Sequence, residues 1–341
     1  IADKGKMVTS IVILSSWAYV LTTFTSNVNG FTGAATNINA QKRSSFSTYT
    51  WNKVDHVAPA LHMSALPFTQ VISDVDDTLK SSGGVKIGEI ALGGIDTQYE
   101  RGEFYPGVFQ FMFELSRSSF ENQEQTGGES GNDVNGSGKV DLYPPKVAVL
   151  TARAEELKLA LELKEDSKLG RAFSQTGKDA GVKNWGLGPV LYGSVAEWVI
   201  QDRKGLRKFS NFERLIAQDP SGEIMEYVYV GDTGELDQEA GETMLREYPE
   251  VVKAVFLHVV SEKPFPEIPK QKLINGRPVV FFRTYVGAAV HACELGLMSE
   301  TAMMRVVASA EQSLDSVSRT SDKWQDLYKD VSEAYLILEN E

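Results

Sequence analysis

The feature that most limits how this chain can fold is an alternation. Short apolar runs at Gln70–Ser73, Val147–Leu150, Val190–Tyr192, Tyr227–Val230 and Ala254–Val259 are separated by stretches of helical periodicity at Gly107–Leu115, Ala154–Leu163, Phe209–Ala217 and Ala240–Glu247. Strand and helix taken in turn give a parallel sheet covered on both faces, so the spacing predicts an α/β, Rossmann-like fold. All but one of the runs end in a polar or glycine-containing turn. Open α/β sheets bind their ligands beyond the C-terminal ends of the strands, so the residues that follow each run are the ones to examine for chemistry.

The 341 residues carry 34 basic and 46 acidic side chains, a formal charge of −12. That balance opposes adsorption to nucleic acid or an anionic membrane face unless basic residues cluster, and no basic cluster is longer than Lys204-Gly205-Leu206-Arg207-Lys208. A single cysteine, Cys293, excludes an internal disulfide, and its apolar or small neighbours predict a buried structural thiol. The histidines, His258 and His291 among them, lack metal-ligand spacing and read as structural.

The first 48 residues read as a targeting leader. Lys4 and Lys6 precede an uncharged apolar stretch from Val8 to Phe24, and Asn27–Ser47 then carries Ser, Thr, Asn, Lys and Arg without an acid. A basic start, an apolar middle and a small-residue exit describe a secretory signal, and the acid-free segment after it has the composition of an organelle transit peptide. Asn29-Gly30-Phe31-Thr32-Gly33-Ala34-Ala35 resembles the phenylalanine-centred cleavage motif of plastid proteins in algae with complex plastids, which implies a plastid destination. The alternatives are the secretory pathway or a single-pass anchor, since the apolar run approaches the roughly 20 residues needed to span a bilayer.

The body is then residues 49–262. Within it, 118–143 holds Gly, Ser, Asn, Gln and Glu with almost nothing apolar and is expected to be a disordered insertion. Three prolines in Lys263–Pro269 mark a boundary, after which 263–341 is expected to be a helical extension: a short apolar run at Val279–Phe282, then periodic stretches at Val286–Leu297, Ser299–Val317 and Asp322–Leu338.

The chemistry concentrates at four strand or helix ends. Val71-Ile72-Ser73 runs into Asp74-Val75-Asp76-Asp77-Thr78. Acids after a strand are common in turns and caps, which is the bland reading. Two carboxylates at i and i+2 on a sheet edge also repel each other unless a cation lies between them, and an oxygen-only donor set asks for a hard ion such as Mg2+. The second run delivers Thr151, whose hydroxyl can hydrogen-bond a phosphoryl oxygen without adding charge. Lys208 opens a helical stretch and can offset charge on an aspartyl-phosphate. Lys204 lies one turn away, and either lysine is a solvated surface charge in the bland reading. Lys208 is preferred because it directly precedes the face Phe209-x-x-Phe212-x-x-Leu215. The fourth end is Gly231-Asp232-Thr233-Gly234-Glu235-Leu236-Asp237.

These motifs, over residues 68–260, resemble those of the haloacid dehalogenase superfamily of aspartyl-phosphate hydrolases: Asp74, Asp76 and Thr78, then Thr151, then Lys208, then Asp232 with Asp237. Within it, Ser73–Lys80, Phe104-Tyr105-Pro106-Gly107-Val108 and Gly231–Asp237 look like the catalytic domain of the actin-patch-protein phosphatidate phosphatases and their plant and algal relatives. The pattern's serine at the second motif is replaced here by Thr151-Ala152-Arg153, which keeps the phosphate donor. Arg153 pairs with Glu156 on the helix surface in the bland reading.

The resemblance implies a Mg2+-dependent phosphatase. Asp74 is the nucleophile and Asp76 the acid and base. Asp74, the carbonyl of Asp76 and Asp232 bind Mg2+, Asp237 orients that shell, and Thr78, Thr151 and Lys208 bind phosphate. About seventy residues separate Thr78 from Thr151, too few for a large cap domain, although Lys164–Gly188 has room for a small flap. An open site suits phosphate on a bulky molecule at a membrane surface, with phosphatidate as the resemblance's suggestion. The rival expectations are a soluble phosphomonoester, a phosphoprotein, and a non-catalytic lipid-binding protein on the same fold.

Overall fold

Val71 and Ile72 lie on opposite faces of strand β1 (Phe68–Ser73), and both are fully buried. A strand with both faces covered is what the middle of a parallel sheet requires. The computed structural model describes residues 68–339, apart from 85, 88–89, 92–93, 127–142, 155–162, 194–203, 220–223 and 235. The expected leader, most of the polar insertion and most of the helix expected over Ala154–Leu163 lie outside the described residues. Among the described residues no helix is long and apolar enough to cross a membrane.

After β1 comes a small antiparallel hairpin, β2 (Lys86–Ile87) and β3 (Ile90–Ala91), and then helix α1 (Val108–Thr126). The chain continues through β4 (Val147–Ala154), α2 (Lys168–Asp179), β5 (Leu187–Gly193), α3 (Lys204–Ala217), β6 (Ile224–Asp232), α4 (Asp237–Glu247) and β7 (Val252–His258). It ends with β8 (Lys272–Ile274), β9 (Arg277–Phe282), α5 (Tyr285–Glu294), α6 (Glu300–Ser313) and α7 (Asp322–Glu339).

The seven-stranded sheet has the order β5-β4-β1-β6-β7-β9-β8, parallel throughout except for the β8–β9 pair. This is an α/β, Rossmann-like architecture. From β1 the chain moves outward to β4 and β5, then crosses back to place β6 on the other side of β1. The switch of direction therefore falls between β1 and β6, the place where open α/β sheets hold ligands at the C-terminal strand ends.

The two faces have separate cores. One packs Val71, Val149, Val228 and Phe256 beneath α1 and α2 and the C-terminal helices. The other packs Ile72, Leu150, Tyr229 and Val255 beneath α3 and α4, with Phe212 and Met244 as large contributors.

Several expectations need correction. Residues 263–341 are not an appended extension: β9 pairs in parallel with β7, from Val255↔Val279 to His258↔Phe282, and β8 pairs with β9. An apolar run such as Val279–Phe282 covers the edge that β7 would otherwise leave open. Lys164–Gly188 is not a flap. Ser167 caps α2, Leu169 and Phe173 enter the core, and Trp185 packs on Phe113 and Phe173 while its indole N–H donates to Pro145 O at 3.1 Å. Part of the insertion is ordered, since α1 continues to Thr126. Propagating a helix already nucleated on the core fixes one residue per hydrogen bond, and Glu and Gln favour it. Cys293 is half-buried at the margin of the core rather than enclosed in it.

Because β9 and α5–α7 complete the sheet and its core, a chain ended at Glu262 should show no cooperative thermal transition by circular dichroism. A melt matching that of the full-length protein would contradict this placement.

Candidate active site

Asp74 follows the last residue of β1, and its N–H continues the ladder by donating to Val230 O at 3.0 Å. A tight turn comes next. Leu79 N and Lys80 N both donate to Val75 O, at 2.9 and 3.2 Å, and Asp77 N donates to Lys80 O at 2.7 Å. Asp77 sits at φ +58°, in the left-handed region that Asp tolerates better than most residues. Its carboxylate repays the strain by accepting three backbone N–H groups, from Ser82 at 2.7 Å, Ile95 at 2.6 Å and Asp96 at 2.9 Å. Ser82 and Ile95 flank the β2–β3 hairpin, so one side chain ties both of its feet to the turn. That approach requires glycine at position 94, where a Cβ would stand 2.1 Å from Asp77 Oδ2.

Asp232 ends β6, next to β1. Its N–H donates to Asp237 Oδ2 at 3.2 Å. Gly231 permits the carboxylate to fold back this closely, because a Cβ there would meet Asp237 Oδ2 at 2.6 Å. Asp237 opens α4, following Leu236 at φ +63°, and its charge complements the positive end of the helix.

Lys208 reaches the same place from α3. Lys208, Asn211, Phe212 and Leu215 are all buried on one face of that helix, which accounts for a lysine only 1 % exposed. Its Nζ lies 3.0 Å from Asp74 Oδ1 and donates to Asp237 Oδ1. Lys208 is therefore at the carboxylates; the side chain of Lys204, which begins α3, lies outside the described residues, as does that of Arg153. Lys183 is exposed.

Asp74, Asp232 and Asp237 are buried and offer oxygens within 4.8 Å of one another. An oxygen-only donor set of this kind matches a hard cation, so the group could hold a metal ion. The carboxylate of Asp76 is not in this group. It is 21 % exposed and stands 3.6 Å from Lys80 Nζ.

Thr78 is fully buried, and its hydroxyl has no hydrogen-bond partner among the described residues, while its carbonyl accepts from Tyr285 Oη at 2.7 Å. Thr151 is buried near the end of β4. Ser73 pairs with Val149, so Thr151 stands toward the C-terminal edge beside the Asp74 turn.

Sequence reasoning missed Asp77, Tyr229, His258 and Tyr285 as neighbours of this site. The buried Tyr229 hydroxyl has no hydrogen-bond partner among the described residues; burial, then the charge of Asp237, push its pKa well up. No protein-family model, curated protein or solved structure matches this chain.

His258 lies between two carbonyls, with Nδ1 2.8 Å from Asp77 O and Nε2 3.0 Å from Arg283 O. Both contacts would favour the imidazolium. Burial opposes it, the Arg283 guanidinium adds to that, and the two prevail, pushing the pKa down to about 3. The unfolded chain binds a proton here below roughly pH 6.5 and the folded one does not, so stability is lost as pH falls. From pH 7 to 5 the loss should be on the order of 2 kcal/mol by denaturant unfolding and should be largely absent in His258→Phe. Burial holds Asp96 and Asp330 above the usual carboxylate range, and they act in the opposite sense at lower pH. An equal loss in both proteins would show that His258 is already charged when folded.

Proposed function

We propose that this chain is a Mg2+-dependent phosphatase of the haloacid dehalogenase type, working through an aspartyl-phosphate on Asp74. The observation that carries the reading is the contact of Lys208 with Asp74 and Asp237, in a carboxylate cluster at the switch point of the sheet, with Asp76 two residues beyond Asp74 on the adjoining turn.

In the first step a carboxylate oxygen of Asp74 forms a bond to phosphorus as the bond to the leaving oxygen breaks, and Asp76 gives that oxygen a proton. In the second, Asp76 takes a proton from water as the water oxygen bonds to phosphorus and the acyl phosphate breaks, returning Asp74. Partial exposure suits Asp76 to meeting both the leaving group and water. Lys208, fixed by two carboxylates, offsets charge on the phosphoryl oxygens at no cost in reorganisation. Thr151 would donate a hydroxyl to the same group. Mg2+, when bound, would be held by Asp74, Asp232 and the carbonyl of Asp76, with Asp237 behind them, and would supply charge neutralisation between nucleophile and phosphate.

Among the described residues the inserts near the site carry only the β2–β3 hairpin, with strands of two residues each. A hairpin of this size is no large cap domain, which supports a phosphomonoester on a bulky molecule, phosphatidate at a membrane surface being the substrate we favour. Phosphate release from lipid, nucleotide, sugar and phosphopeptide monoesters would decide among these. Turnover should require Mg2+ and vanish in Asp74→Asn, because an amide cannot carry the phosphoryl group. Wild-type turnover in that variant would sink the covalent mechanism, and binding of lipid without turnover by the native protein would favour a non-catalytic role.

Lys208→Ala should lower turnover on the order of a hundredfold or more, measured per folded enzyme, while Lys204→Ala should stay near the native rate. A large loss confined to Lys204→Ala would reverse the assignment.

A further inference from the structure

In the buried turn after Asp74, two successive carbonyls are each met by a side chain from an element distant in sequence. Asp77 O faces His258 Nδ1, from the end of β7, at 2.8 Å, and Thr78 O accepts from Tyr285 Oη, from the first turn of α5, at 2.7 Å. Both side chains are 1 % exposed, and their rings pack against each other with centroids 5.9 Å apart.

Tyr285 is held from both sides. Arg283, two residues before it, donates to Val259 O at 2.9 Å and to Asp326 Oδ2 at 3.0 Å. Thr284 caps α5 and donates its hydroxyl to Asp330 on α7 at 2.6 Å. The ring itself rests on Phe282 and Phe111, at 5.1 and 5.4 Å. A phenol fixed this firmly holds a hydrogen-bond donor at one point in space. Burial, and after it the charges of Asp232 and Asp74, push its pKa well above the ordinary value, so the group there is always a donor.

Thr78 is two residues beyond Asp76, in the turn that sets where the Asp76 carboxylate points relative to Asp74. We infer that Tyr285 is a positioning residue for this turn, so that a side chain from the C-terminal segment fixes the placement of Asp76 for proton transfer. The inference rests on the phosphatase reading of Asp74 and Asp76. It assigns Tyr285 no contact with substrate. Removing the hydroxyl while keeping the ring leaves the core filled but frees the Thr78 carbonyl, and a turn free to shift by even a fraction of an ångström misplaces a general acid.

The test is Tyr285→Phe in the full-length protein, with Tyr335→Phe on the exposed face of α7 as the control for the same chemical change. Turnover should fall roughly tenfold with KM within twofold, the thermal midpoint should stay within a few degrees, and amide exchange should quicken at Asp77, Leu79 and Lys80 and not across the sheet. Tyr335→Phe should leave all of these unchanged. Native turnover and native exchange in Tyr285→Phe would overturn the inference, as would a lower midpoint with native turnover, which would make the contact purely structural. If the native protein releases phosphate from no substrate, the phosphatase reading fails by itself. The exchange rates then still decide whether Tyr285 holds the turn.

Discussion

Among the described residues, three carboxylates and one ammonium lie buried together, and much else in the molecule follows from keeping them there. Asp74 and Asp232 arrive on neighbouring strands, Asp237 on the first turn of a helix, and Lys208 on the buried face of another. Removing either partner of such a pair leaves a buried charge without compensation, which typically costs 3–5 kcal/mol. The arrangement is therefore poor value as a device for stability alone. On the phosphatase reading proposed above, it serves a site where a cation and a phosphoryl group come and go.

Around that cluster the backbone has been given little freedom. Asp77 adopts a conformation most side chains avoid, and its carboxylate, with Gly94 making room, ties the hairpin to the turn. The carbonyls of Asp77 and Thr78 are met by His258 and Tyr285. Strain kept at one residue and held by several hydrogen bonds is a familiar way to fix a reacting geometry in advance of the substrate.

Much of the sheet could be read directly from the chain, because buried parallel strands announce themselves as uninterrupted apolar runs: Gln70–Ser73 and Tyr227–Val230 fall inside β1 and β6. The burial of Lys208 was also legible, since it adjoins the Phe212 and Leu215 face that α3 buries. What the chain did not reveal was which strand lies beside which. Val279–Phe282 looks the same whether it joins the main sheet or a separate extension, and three prolines before it suggested separation. Asp77 was hidden because a positive φ leaves no periodic trace. Tyr285 meets Thr78 across 207 positions in the chain, and no local pattern encodes such a contact.

The central claim is that phosphorus is transferred to one particular oxygen-bearing side chain, and hydride trapping addresses it most directly. An acyl phosphate is reduced by borohydride to the alcohol, so rapid quenching during turnover, reduction and peptide mass spectrometry should find homoserine in place of aspartate at position 74, and only when substrate and Mg2+ are both present. Steady turnover with no reduced residue, or reduction at Asp76 or Asp232 in place of Asp74, would contradict the account.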